Sequence, residues 1–242
     1  MLVDTHFHLD LWGNVADIIS SIERNRIYTI AVTNLPVLFE NTHRLVQNTK
    51  YIRAAIGLHP ELIESHGKQL DLFLNEANQI KYIGEIGLDY SQQNRKTKDA
   101  QRKVLNKIVE ACAIQGNKVF SVHSRSAESD VITAFGPKYP GKVILHWYSG
   151  NTENLEKAID YGMYFSVNHA MTISTKAVEL ISRIPLSKML TESDGPFVNI
   201  GGMKASPLNI ITVINKIGQI LQREPADIMA QIKVNFLKLL NT

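Results

Sequence analysis

Apolar and polar positions along the 242 residues fall into a repeated pattern: a short apolar run, a polar turn, then an amphipathic stretch of helical period. The β-type runs are Leu2-Val3, Ile27–Val32, Tyr51–Ile56, Ile80–Ile83, Lys118–Val122, Lys142–Leu145, Met163–Val167 and Lys188–Leu190. Several are nearly continuous in apolar residues, as strands covered on both faces are. Among the intervening stretches, Asp99–Gln115 places Leu105, Ile108, Val109 and Cys112 on one face, with Gly116 as its stop. Asn151–Tyr161 has a capping Asn at its start and Gly162 at its end, and Pro225–Leu240 opens on a proline suited to a first helical position. About eight strand-helix repeats with no linker predict a single-domain (β/α)8 TIM barrel over residues 1–242, an open doubly wound sheet being the alternative.

Composition fits that expectation. Hydrophobic residues make up 44% and charged residues 20%, which is ordinary for a globular chain with a sizeable core. The net charge of +3 permits a polyanionic partner without requiring one. The densest basic run, Arg95-Lys96-Thr97-Lys98 with Arg102 and Lys103, reads as a solvated helix start. The single cysteine excludes an internal disulfide. No charged leader with a long apolar stretch opens the chain, and no apolar run is long enough for a bilayer, so a soluble cytoplasmic protein is expected.

The positions of the acids and histidines point to chemistry. His6 and His8 stand at the end of the first strand run, His59 after the third, Glu85 after the fourth, His123 after the fifth, His146 after the sixth and Asp194 after the eighth. In a barrel those ends converge on one face, where barrel active sites are built. Alternate strand residues share a face, so His6 and His8 present two imidazoles to one cation. Imidazoles combined with carboxylates suit zinc, manganese, iron or nickel rather than calcium. Asp4 shares their parity and either orients a histidine ring or touches the metal itself. Glu85 has two oxygens to bridge two ions, with His6 and His8 on one side and His123 and His146 on the other. Asp194 is the carboxylate expected to accept a proton from the attacking water. Glu192, two residues earlier, is either a partner in the site or a plain strand residue. No G-x-S-x-G, Walker-type loop or G-x-G-x-x-G is present, so acyl-enzyme, nucleoside-triphosphatase and dinucleotide readings lack their signatures.

Taken in order, Asp4-Thr5-His6-Phe7-His8-Leu9, Gly57-Leu58-His59-Pro60, Gly84-Glu85-Ile86-Gly87-Leu88-Asp89-Tyr90, Gln101-Arg102, His123-Ser124-Arg125, His146-Trp147-Tyr148-Ser149-Gly150 and Glu192-Ser193-Asp194-Gly195-Pro196 resemble the TatD family of metal-dependent deoxyribonucleases. The resemblance implies a barrel with two divalent ions (zinc, manganese or magnesium) that cleaves DNA phosphodiesters through a metal-activated water, as a 3′–5′ exonuclease. It assigns one ion to His6, His8, Glu85 and Asp194 and the second to Glu85, His123 and His146. His59 would lie near the substrate and Arg125 would grip a phosphate. The family's basic Arg-Asn-Glu-Pro segment is replaced by a stretch ending Lys204-Ala205-Ser206-Pro207, in which Lys204 substitutes only partly for the arginine. This divergent pattern is similar to TatD-like proteins of bacterial anti-phage (Qat-type) defence clusters, which implies defence-system protein partners. Two other readings stand beside the DNase: a lactonase or amidohydrolase acting on a small molecule, and a non-catalytic complex subunit. Relatives with small-molecule substrates bridge their metals with a fourth-strand lysine, whereas Lys81 lies at the wrong end of that strand.

Overall fold

A computed structural model describes residues 1–241; Thr242, the last residue of the expected barrel, lies outside the described residues. Eight parallel strands form the centre: β1 (Leu2–Phe7), β2 (Ile27–Val32), β3 (Ile52–Ala55), β4 (Tyr82–Gly87), β5 (Val119–His123), β6 (Lys142–His146), β7 (Tyr164–Val167) and β8 (Met189–Thr191). Each is followed by a main helix: α1 (Val15–Asn25), α2 (Pro36–Val46), α3 (Leu70–Ala77), α4 (Lys98–Gln115), α5 (Glu128–Phe135), α6 (Thr152–Asp160) and α7 (Thr175–Arg183), with α8 (Ile210–Leu221) and α9 (Pro225–Leu240) after β8. This is the (β/α)8 barrel read from the repeat.

Regular pairing runs β1-β2-β3 and β4-β5-β6-β7-β8, and two seams close the cylinder. Between β3 and β4, Gly84 N–H donates to Ile56 O at 2.8 Å and Leu58 N–H to Glu85 O at 3.0 Å. Gly57 makes this approach possible, because a Cβ there would lie 1.8 Å from Thr33 O. Between β8 and β1 the seam is carried by threonines: Thr191 Oγ1 donates to Val3 O at 2.5 Å and Thr5 Oγ1 to Thr191 O at 3.2 Å.

The helices cover the strands with the faces their sequence marks out. Cys112 is buried in α4, and Ile228, Ile232, Phe236 and Leu239 of α9 are all buried against the barrel. Asn151 caps α6 by accepting from Asn154 N–H at 2.8 Å. Two strands run well past their expected ends, and the first is β1, which continues from Val3 to Phe7. The fourth strand does not stop at Ile83 but continues through Glu85 to Gly87. Gly84 and Gly87 look like breakers yet serve close packing, since a Cβ on Gly87 would meet His123 O at 2.0 Å. After β8 the chain forms a small hairpin, β9 (Asn199–Ile200) against β10 (Met203–Lys204), turned by Gly201 and Gly202 at positive φ.

Candidate metal centre

The strand ends carry the expected side chains to one point, and two irregularities in the ladders aim them. The β1–β2 register shifts between Asp4 and Phe7, around His6, and the β4–β5 register shifts between Ile83 and Ile86, around Glu85. Such bulges redirect a side chain that strict alternation would place elsewhere. Glu85 is then fixed by its own backbone, whose N–H donates to Thr33 O at 3.0 Å. Asp194 sits at φ +47 in the turn after β8, where its N–H donates to His6 O at 3.0 Å.

Around Glu85 Oε2 lie His6 Nε2 at 3.3 Å and His8 Nε2 at 3.4 Å. The two imidazole nitrogens are 3.1 Å apart, and Asp194 Oδ1 is 3.7 Å from His6 Nε2 and 3.5 Å from His8 Nε2. Donors about 2.0–2.2 Å from a tetrahedral cation stand roughly 3.3–3.6 Å from one another, so these separations fit a cation at their centre. Asp194 Oδ1 is buried with no hydrogen-bond partner among the described residues, an arrangement expected of a metal ligand rather than of a structural carboxylate.

Glu85 Oε1 faces a second group. His123 Nδ1 and His146 Nε2 are each 2.9 Å away, and His59 Nε2 is 3.2 Å away. His59 thus joins the donor cluster itself, beside the substrate-facing place its motif suggested. Candidate metal groups among the described residues are His6-His8-Asp194, His6-Glu85-His146 and His59-Glu85-His123. Mixed imidazole and carboxylate donors suit a divalent transition ion.

A second layer holds the rings. His6 Nδ1 meets Ser121 Oγ at 2.7 Å, His123 Nε2 meets Asp89 Oδ2 at 2.8 Å, and His146 Nδ1 lies 3.6 Å from Glu192 Oε1. Glu192 is fully buried and accepts from Asn168 Nδ2 at 2.9 Å, from Trp147 N–H at 3.1 Å and from the Ser166 hydroxyl. It is therefore a partner in the site and not a plain strand residue. Gln101 locks the loop carrying Asp89, accepting from Asp89 N–H at 2.8 Å and donating to Asp89 O at 2.9 Å. Asp4 takes neither of its anticipated roles. Its Oδ1 accepts from the backbone N–H of His6 at 3.1 Å and of Ser193 at 3.0 Å, so it ties β1 to the β8 turn, and burial pushes its carboxyl up to about 8.

The electrostatics turn on Glu85, the carboxylate that both groups of imidazoles face. Burial works against the charge on Glu85, yet His59, His146 and His6 hold its carboxyl well below the usual range. Burial likewise opposes protonation of His146, but Glu85 and Glu192 raise it well above an ordinary histidine. His6 is lowered, first by burial and then by His146.

The centre opens into a cleft of about 510 Å³ lined in part by His59, Arg125, Trp147, Asp194 and Phe197. Arg125 is exposed there, with no acidic partner within salt-bridge distance among the described residues. Lys204 is exposed on β10 and is not one of the cleft-lining residues. The Arg95–Lys103 run is largely solvated, as expected, with Lys96 paired to Glu64 at 2.8 Å. Lys81 donates to Leu240 O at 2.7 Å, beneath the start of β4 and away from the site.

The sequence model of the family described as TatD related DNase matches residues 3–241. The chain belongs to that family. Family relatives include Deoxyribonuclease Tat-D of Schizosaccharomyces pombe, 25% identical over 177 residues, which cover 66% of this chain and 56% of that protein's length. An uncharacterized metal-dependent hydrolase of Methanocaldococcus jannaschii is 27% identical over 245 residues, 98% of this chain and 95% of its own. The crystal structure of a TatD homolog from Escherichia coli superposes with a TM-score of 0.87 at 22% identity, covering 100% of this chain and 98% of the other. That structural likeness supports the barrel. This TatD-family chain is accordingly a metal-dependent hydrolase, and no helix among its described residues is long and apolar enough to cross a membrane.

Proposed function

We propose that the chain is a two-ion phosphodiesterase that cleaves single-stranded DNA from its 3′ end. The observation that carries this reading is Glu85, whose Oε2 faces His6 and His8 while its Oε1 faces His59, His123 and His146. One carboxylate shared by two donor groups is how a protein holds a pair of cations. Divalent ions bound there would activate water and neutralise charge on a phosphate.

The residues of the chain supply the rest. Asp194, with Oδ1 buried and unpartnered at the cleft wall, would accept the proton released from the attacking water. Arg125, exposed in the same cleft, offers a planar fork to a phosphate. The Ser121 and Asp89 hydrogen bonds hold the His6 and His123 rings in place before substrate arrives, and Glu192 sets a negative charge beside His146. Lys204, exposed on β10, would meet the strand outside the cleft. The engagement of Lys81 by Leu240 counts against a lysine-bridged amidohydrolase.

End-labelled single-stranded DNA incubated with manganese, zinc or magnesium tests the reading. Stepwise loss from the 3′ end, abolished by chelator, is expected. Absence of cleavage with all three metals, or turnover confined to a lactone and dipeptide panel, would sink it.

A further inference from the structure

Phe197 stands out among the cleft residues because it is a large apolar side chain left 56% exposed beside the buried His8. Its ring meets His8 at right angles, with centroids 5.0 Å apart, so it abuts the proposed metal ligands while more than half of its surface stays open. The ring does not sit on a loose segment. Phe197 N–H donates to Asp194 O at 2.8 Å, Val198 N–H reaches the same carbonyl at 3.2 Å, and Val198 O accepts from Ala205 N–H at 2.8 Å. Gly195 lets the chain pack this closely, since a Cβ there would lie 2.0 Å from Ala205 O. A rigid, flat, open aromatic face next to a carboxylate–imidazole centre, in a cleft that also exposes Arg125, matches a ligand with an anionic centre and a flat apolar body. A nucleotide has both.

We propose that Phe197 is a stacking platform for the unpaired base next to the scissile phosphate, and so a residue that selects single-stranded DNA. The inference rests on the phosphodiesterase reading and goes beyond it by stating what recognises the base. Stacking on an aromatic face is available to every base and needs no hydrogen-bond code, so the expected preference is for strandedness, not sequence. A base inside a duplex already has both faces covered and must first be extruded. A cleft of about 510 Å³ is of the size that takes compact ligands and not a double helix.

The test uses the metal-loaded full chain and end-labelled single strands that are either intact or carry an abasic residue at each position flanking the cleaved bond. The intact strand should exceed one of the abasic strands in kcat/KM by about 5- to 150-fold, the range expected for one stacked base. In Phe197→Ala that ratio should fall to near one, and in Phe197→Trp it should be retained; bound metal is measured in every preparation. Equal rates on intact and abasic strands in the wild type would overturn the stacking role while leaving the phosphodiesterase reading intact. Equal slowing of both substrates in Phe197→Ala, accompanied by lost metal, would make the ring a support for His8 and also overturn the proposal. Failure of the wild type to cleave any of the strands would remove the phosphodiesterase reading and the inference together.

Discussion

On the Oε2 side of Glu85 the donors come from β1 and the turn after β8, and the side chains of His6, His8 and Asp194 are 0%, 1% and 4% exposed. On the Oε1 side they come from the ends of β5 and β6 and the turn after β3, and the side chains of His123, His146 and His59 are 16%, 7% and 11% exposed. The two groups share a carboxylate and a donor chemistry but not an environment. The closed side is tied together by backbone hydrogen bonds between β1 and the β8 turn, with Asp4 accepting from both. The open side depends on side-chain partners, Asp89 and Glu192. One half of the centre is thus held by the closure of the barrel, the other by a polar network in reach of the cleft. The closed half is suited to retain an ion and the open half to meet the substrate.

Ligand substitutions would break this comparison most severely. Glu85→Gln should empty both sides and lower hydrolysis of the proposed substrate by about 10²- to 10³-fold or more, because it removes the charge shared by both groups. Asp194→Asn should release metal chiefly from the closed side and His123→Gln chiefly from the open side, each leaving about one ion per chain by elemental analysis. Glu85→Gln with unchanged metal content would refute the bridging arrangement.

The partners beyond the ligands give a finer cut. Glu192→Gln removes a buried carboxylate 3.6 Å from His146 Nδ1 and should weaken metal binding on the open side by about 10- to 100-fold. Circular dichroism checks that the barrel is intact, and metal titration reads the affinity. Because Glu192 contacts no closed-side ligand in the hydrogen-bond or ion-pair network, closed-side affinity should change little. Equal weakening on both sides would mean that Glu192 acts through general stability.

Much of this arrangement is legible in the amino-acid sequence. The strand-helix repeat is written in buried apolar runs, and parallel strands force their C-terminal ends together, so topology brings His6, His8, Glu85, His123, His146 and Asp194 to one face of the barrel. What the sequence hides depends on local geometry. Gly84 and Gly87 let β4 pass against Ser121 and His123, a close approach that residue type alone does not reveal. Asp89 meets His123 across a separation of 34 residues, and Ser121 meets His6 across 115; no spacing rule joins such pairs. Asp4 has the parity of a ligand, but the register shift after it breaks the alternation on which that expectation rested. Phe197 carries no signal at all as a residue type, since its exposure follows from the turn at Asp194.

The gentlest probe of the difference between the two sides is pH. Protons and metal ions compete for the same imidazole nitrogens, so a histidine whose pKa is raised must be deprotonated against a larger cost before it can bind. On the open side burial opposes the charged form, but Glu85 and Glu192 raise His146 well above the ordinary histidine range, and Asp89 and Glu85 raise His123. On the closed side His8 is raised by Asp194 and Glu85 against burial, but His6 is lowered, first by burial. A raised pKa keeps the proton on to higher pH, so acidification from pH 8 towards 6 should expel the open-side ion first, by about tenfold in affinity per pH unit for each proton displaced. The metal-free chain follows the same sign: protonated His146 adds stability that is fully present below the ordinary histidine pKa and is lost as pH rises through the raised value. Adding metal should therefore raise the melting temperature more at pH 8 than at pH 6. Earlier loss of the closed-side ion on acidification, tracked in the Asp194→Asn and His123→Gln variants, would reverse the assignment of the retained and exchangeable halves.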